Sequence, residues 1–121
     1  MNKRVLLVDD SETVIQFEKL MLRGLGYEIS TAKNGKLALA EVAAEMPDLI
    51  LLDLVMPEMD GLETLRRLKE SPDTKGIPVV VVTTKGAPEV VEQAFAAGCD
   101  DYLTKPMDKI ELLAKVKHRL G

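Results

Sequence analysis

Asp9 and Asp10 follow the apolar run Val5-Leu6-Leu7-Val8, Asp53 follows Leu49-Ile50-Leu51-Leu52, and Lys105 follows Tyr102-Leu103-Thr104. If those runs are parallel strands of one sheet, three carboxylates and one ammonium meet at a single edge. Gathered carboxylates repel: two unit charges about 4 Å apart cost about 4 kcal/mol at an effective dielectric of about 20. A divalent cation removes that cost, and Mg²⁺ is a hard ion that uses one or two carboxylates and keeps several waters. One His and one Cys in the chain disfavour a zinc site built on those ligands. Asp53 stands apart from the acidic pair, where its carboxylate can attack an incoming phosphorus, as carboxylates do when they form aspartyl phosphates. Phosphoryl transfer asks mainly for positioning and charge neutralisation. Lys105 offers a compact positive charge to one phosphoryl oxygen, Thr83 a hydroxyl to a second, and Mg²⁺ serves the third.

The elements that must hold these groups are legible as alternating periods. Short apolar runs predict strands over residues 5–8, 27–32, 49–52, 79–82 and 102–104. Between them, apolar residues recur at helical spacing. Val14, Phe17 and Met21 follow Ser11, a helix N-cap by type. Leu37, Ala40 and Ala44 follow the turn Asn34-Gly35. Leu62, Leu65 and Leu68, then Val91, Ala94 and Phe95, and finally Ile110, Leu113, Val116 and Leu120 mark the other three helices. The run Leu49-Ile50-Leu51-Leu52 is apolar throughout, as expected of a strand covered on both faces. Five βα units predict an α/β fold, a doubly wound five-stranded parallel sheet with five helices and right-handed crossovers. The familiar closed barrel needs eight strands. Ligands of open sheets sit outside the carboxyl ends of the strands, where the strand order reverses.

Bulk properties narrow the function. The 121 residues are material for one domain, taken here as residues 1–121. The aromatic fraction is 3% with no Trp, and the net charge is −4, which together argue against direct nucleic-acid binding. The basic start Met1-Asn2-Lys3-Arg4 leads into an apolar run too short for a signal peptide, and no stretch approaches a membrane span. The single cysteine, Cys99, cannot form an internal disulfide and fits a cytoplasmic location.

In order along the chain stand VLLVDDS, PDLILLDLVMPEMDG, PVVVVTT and GCDDYLTKP. At this spacing the whole chain resembles the receiver domain of two-component response regulators, the CheY-like family. The resemblance implies the flavodoxin-like strand order 2-1-3-4-5 and a role for each matching position. Asp53 resembles the phosphoacceptor. Asp10 resembles a direct Mg²⁺ ligand, and Asp9 a partner acting mainly through metal-bound water. The Val55 carbonyl completes the protein's share of that shell. Thr83 resembles the switch hydroxyl and Tyr102 the switch aromatic, which turns inward when Thr83 moves. Lys105 resembles the phosphate-binding lysine, with a cis bond to Pro106, and Gly61 serves the turn after the third strand. The resemblance further implies a histidine kinase or phosphotransfer protein as donor. The readout surface is helix 4, strand 5 and helix 5, acting on a partner protein or fused output domain, and a homodimer formed on phosphorylation is compatible with it. Val55 and Lys85 occupy positions that vary in the family and tune lifetime. Neither side chain suits the orientation of an attacking water, so a long phosphoryl lifetime is expected.

Other readings weigh against these. Asp9 and Asp10 can cap a helix, Thr84 competes with Thr83 as a strand end, and Tyr102 can be a half-buried strand aromatic. Asp100 and Asp101 precede a strand and read as turn residues at the opposite sheet edge. Cys99 reads as packing and His118 as a surface residue. A haloacid-dehalogenase-type phosphatase needs D-x-D after the first strand, and position 11 here is Ser. Flavodoxin needs a hydroxyl-rich phosphate loop there, of the wrong charge for Asp9-Asp10-Ser11. A receiver-like interaction module that has lost phosphorylation lacks an acidic, hydroxyl or lysine position, and none is lost. The expectation is therefore a switch that does not turn over an independent substrate.

Overall fold

A computed structural model describes residues 2–56, 60–84 and 88–120. Lys85, and residues 57–59 of the loop after the third strand, lie outside the described residues. Ten elements alternate along the chain: β1 (Arg4–Val8), α1 (Glu12–Met21), β2 (Glu28–Ala32), α2 (Gly35–Ala44), β3 (Leu49–Asp53), α3 (Gly61–Glu70), β4 (Val79–Thr84), α4 (Pro88–Ala96), β5 (Asp101–Lys105) and α5 (Lys109–Leu120). The strands are all parallel, in the order β2-β1-β3-β4-β5. This is the doubly wound, CheY-like arrangement expected from the sequence. The chain leaves β1 and β3 toward opposite edges, so the crevice between their carboxyl ends is the switch point.

The central strands are apolar on both faces because each face carries its own core. Leu6, Val8, Ile50, Leu52, Val79 and Val81 pack with α2, α3 and α4 through Ala38, Val42, Leu65, Leu68 and Ala94. Val5, Leu7, Leu49, Leu51, Val80 and Val82 pack with α1 and α5 through Ile15, Leu112, Val116 and Leu120. Alternate strand residues go to opposite faces, so an unbroken apolar run is what this double burial demands.

The helix faces differ from the sequence expectation in four helices, α4 among them, where Ala94 is buried but Phe95 is 46% exposed. In α1 the buried residues are Ile15 and Glu18, while Phe17 is 60% exposed. In α2 they are Gly35, Ala38 and Val42, and Leu37, Ala40 and Ala44 face outward. In α5, Leu112 rather than Ile110 opens the core stripe, and Ile110 is 79% exposed. Each helix carries apolar residues on more than one face, so the period is legible but its phase is set by the sheet beneath. Asn34-Gly35 also differs: Asn34 is the N-cap of α2, its side chain accepting from the Leu37 amide at 2.9 Å, and Gly35 is already helical. Ser11 caps α1 as expected, accepting from Val14 N at 3.3 Å.

Asp100 is more than a turn residue. Its Oδ2 accepts from the Val79 amide at 2.7 Å and from Lys69 Nζ at 3.0 Å, and Lys69 also donates to the carbonyls of Lys75 and Ile77. This ties α3 and the start of β4 to the start of β5, at the sheet edge opposite the candidate site. Asp101, likewise read as a turn residue, is the first residue of β5. Gly98, just past α4, adopts φ +104, a conformation that favours glycine. Cys99 is buried in the core, and burial pushes its thiol up to about 11, consistent with an unreactive packing role.

Candidate functional site

β1 and β3 are adjacent and in register, Val8 beside Leu52, so the residues that follow or end them are neighbours. Asp9 and Asp53 are buried, and Asp10 is exposed at the rim. One carboxylate oxygen from each of Asp9, Asp10 and Asp53 lies within 4.8 Å of the others, a spacing that can hold a metal ion. Backbone amides orient two of the three. Ser11 N donates to Asp9 Oδ1 at 2.9 Å, and Val55 N donates to Asp53 Oδ1 at 3.2 Å. The Lys105 ammonium reaches in from the end of β5, 3.0 Å from Asp9 Oδ2 and 3.5 Å from Asp53 Oδ2. All four charges that the sequence singled out are therefore in one place.

The charge balance is incomplete. Asp9 Oδ2 pairs with Lys105, yet among the described residues it accepts no hydrogen bond of good geometry. A buried, under-satisfied carboxylate oxygen flanked by two further carboxylates is a donor set that fits a hard divalent cation. Burial and then the nearby Asp9 push the Asp53 carboxyl up to about 6, with the Val55 amide and Lys105 pulling the other way. Burial alone would lower the Lys105 ammonium, but its ion pair with Asp9 and the Asp53 charge outweigh burial and raise it. The lysine is therefore a fixed positive charge at any physiological pH.

The uncharged pair sits next to this cluster. Asp53 pairs with Val82 across the β3–β4 ladder, and Thr83 is the next residue on β4. Thr83 is buried and Thr84 exposed, which separates the two candidates. Tyr102, 36% exposed on β5, lies edge-on to Phe95 of α4 with ring centroids 6.0 Å apart. The Lys105-Pro106 peptide is cis. Val55 is 68% exposed, and its amide binds Asp53.

Gly61 has a different reason from the one expected. It is the first residue of α3, held by its amide to Leu54 O at 3.2 Å, and a Cβ there would meet Asp53 O at 2.2 Å and Leu54 Cα at 2.5 Å. The helix start crosses the backbone of β3 so closely that no side chain fits. A turn conformation is not what selects glycine here.

Glu18 is a residue the sequence reading passed over. It is 2% exposed on the core face of α1, and its Oε1 has no hydrogen-bond partner among the described residues. Burial, then Asp9, pushes its carboxyl from the ordinary 4.5 to about 8, with Lys105 opposing and Asp53 adding to the rise. Above pH 4.5 the unfolded chain loses this proton while the folded chain keeps it to about pH 8, so stability falls through that window. The slope contributed is at most about 1.4 kcal/mol per pH unit. Glu18→Gln, which cannot ionise, is expected to lose this slope. Chemical denaturation of both proteins at pH 5 to 8 checks it: a constant difference between them contradicts the assignment.

The chain as a whole is similar to known proteins. A family model described as the response regulator receiver domain matches residues 5–117. The chain is 43% identical over 117 residues to the response regulator PleD of Caulobacter vibrioides, covering 97% of this chain and 26% of that protein. It is 39% identical over 115 residues to the phosphate regulon transcriptional regulatory protein PhoB of Pseudomonas aeruginosa, covering 95% of this chain and 50% of PhoB. The chain thus spans only a quarter to a half of these curated relatives. Among solved structures, the chemotaxis protein CheY4 of Vibrio cholerae superposes with a TM-score of 0.90 at 32% identity, covering 98% of each chain.

Proposed function

Because the chain belongs to the family of response regulator receiver domains, it is a phosphorelay signal receiver, and we propose that Asp53 is the residue that takes the phosphoryl group. The supporting observation is the Lys105 ammonium set between the buried carboxylates of Asp9 and Asp53. That arrangement suits a nucleophile whose repulsion is only partly relieved until a cation and a phosphoryl group arrive. Asp9, Asp10, Asp53 and the Val55 carbonyl would hold Mg²⁺. A bound Mg²⁺ supplies charge neutralisation for the phosphoryl oxygens.

In the proposed step an Asp53 oxygen attacks the phosphorus of a phosphohistidine on a kinase or phosphotransfer protein. The O–P bond forms, the P–N bond breaks, and the imidazole leaves with the bonding pair. The Val55 amide keeps the Asp53 carboxylate oriented. Lys105 keeps its contact with Asp9 and turns its second contact from Asp53 to a phosphoryl oxygen. The new group carries more charge and more acceptor oxygens than the carboxylate it replaces. It therefore draws the Thr83 hydroxyl, and the space Thr83 leaves admits the Tyr102 ring. The α4–β5–α5 surface then differs between the two states, and a partner that prefers one of them is linked reciprocally to phosphorylation.

Receiver domains are signalling switches, and this reading gives residues 1–121 as one such domain, working in the cytoplasm without turnover of an independent substrate. The partner is a downstream protein or an output domain on the same polypeptide. Among the described residues no helix is long and apolar enough to cross a membrane. Lys105→Ala tests the division of labour. The variant is expected to bind Mg²⁺ at least as well as the parent, since it loses a competing cation. Its α4–β5–α5 amide signals are expected to stay in place when beryllofluoride, a phosphoryl mimic, is added. A parent-like surface response in this variant contradicts the role given to Lys105.

A further inference from the structure

Tyr102 is held by two contacts. The Phe95 ring packs against it in a T-shaped arrangement, at an interplanar angle of 85°. Lys115 Nζ from α5 stands over the ring, 4.7 Å from its centroid. That ammonium is itself tied down: it donates to the Tyr102 carbonyl and lies 3.2 Å from Asp101 Oδ1 and 3.6 Å from Glu111 Oε1. We propose that Lys115 is a positioning residue that latches Tyr102 in its outward state and so sets how much of the unphosphorylated protein is already in the switched state. The inference rests on the reading of Tyr102 as the switch aromatic and goes beyond it by naming what the ring must leave.

The anchoring decides the effect. A turn of the Tyr102 side chain about its own bonds leaves the β5 backbone where it is. Lys115 therefore keeps the Tyr102 carbonyl, Asp101 and Glu111 in both states, and cannot follow the ring inward. The contact between ammonium and ring face exists only when the ring is outward, as does the edge contact with Phe95. An ammonium over an aromatic face at a partly exposed site favours that state by a factor of about 2 to 5. A contact made in one state alone shifts the balance between states by its full value. Lys115 also joins β5 to α5 inside the surface proposed for readout, so its anchored ammonium is newly uncovered when the ring departs.

The test compares the parent with Lys115→Met, which keeps the aliphatic stem and removes the charge, Lys115→Arg, which keeps a cation, and Phe95→Leu, which removes the second ring. Only two tyrosines are present, so ring-labelled tyrosine gives one signal for Tyr102 and a reference from Tyr27. Without phosphoryl mimic, Lys115→Met and Phe95→Leu are expected to move the Tyr102 signal toward its position in the beryllofluoride-bound parent. With Mg²⁺ present they are expected to bind beryllofluoride about 2 to 5 times more tightly. Lys115→Arg is expected to stay with the parent. If beryllofluoride moves the Tyr102 signal in the parent but Lys115→Met changes neither resting signal nor affinity, the latch is wrong and the switch stands. If beryllofluoride leaves the Tyr102 signal of the parent unmoved, the switch reading falls and the latch with it.

Discussion

Asp53→Asn is expected to abolish phosphorylation entirely and to leave the fold intact or more stable. The loss follows from the chemistry, because an amide oxygen is not a nucleophile that can form the acyl phosphate. The gain follows from the electrostatics. Burial and Asp9 raise the Asp53 carboxyl from 3.8 to about 6, so between those values the folded protein holds a proton that the unfolded chain has released. A group raised in this way lowers stability as pH increases through the window, and the cost persists above it. Removing the charge recovers about 1–3 kcal/mol at neutral pH in the absence of metal, toward the low end where water at the mouth screens the charges. Asparagine keeps the acceptor oxygen for the Val55 amide, and Lys105 keeps Asp9. Thermal unfolding in chelator, together with phosphorylation by acetyl phosphate, checks both halves. A variant that melts well below the parent, or still takes a phosphoryl group, contradicts the account.

The second large effect is at Gly61. An added methyl group at the start of α3 would sit 2.2 Å from Asp53 O and 2.5 Å from Leu54 Cα, both backbone atoms that cannot swing aside. Either α3 lifts away, breaking the Gly61 amide bond to Leu54 O, or the end of β3 shifts and carries Asp53 with it. Overpacking of this kind costs about 1–3 kcal/mol. The functional cost is larger, since small displacements of reacting groups lower rates steeply. Gly61→Ala is therefore expected to lose at least about tenfold in phosphorylation rate as well as stability. Gly76→Ala, where nothing lies within 4 Å of the new methyl group, serves as the control and is expected to behave as the parent. Parent-like phosphorylation by Gly61→Ala contradicts the close-approach argument.

The parts of this molecule that could be read in the sequence share a physical reason. A buried parallel strand is an unbroken apolar run, so its end is marked by the first charge. Asp9 and Asp53 announced themselves in that way, while Lys105 closes the short edge strand β5, and the parallel order brought the three within ion-pair distance. The helix faces were harder. A period of 3.6 residues shows in Val14, Phe17 and Met21, but α1 also carries Ile15, with Leu22 at its C-cap, and the sheet selects the second set. Glu18 is hidden by the same ambiguity, because a carboxylate on a helix reads as solvated until its neighbours on that face are known to be core. Gly61 and Lys115 depend on approaches between elements distant in sequence, a helix start over a strand and a lysine over a ring. No local pattern encodes them. Asp100 could have been found from its chemistry, since an acidic residue at the amino end of one strand is placed to accept from the amide that opens the next.

The central claim is that Asp53 accepts a phosphoryl group in a reaction that needs a divalent cation. The direct measurement is the intact mass of the protein after incubation with acetyl phosphate, with Mg²⁺ or with chelator, followed by borohydride reduction of the acyl phosphate and peptide sequencing. The account predicts a gain of one phosphoryl mass with Mg²⁺ and none with chelator, and reduction of residue 53 to homoserine. A modification at another residue, or no Mg²⁺-dependent gain at all, would contradict it.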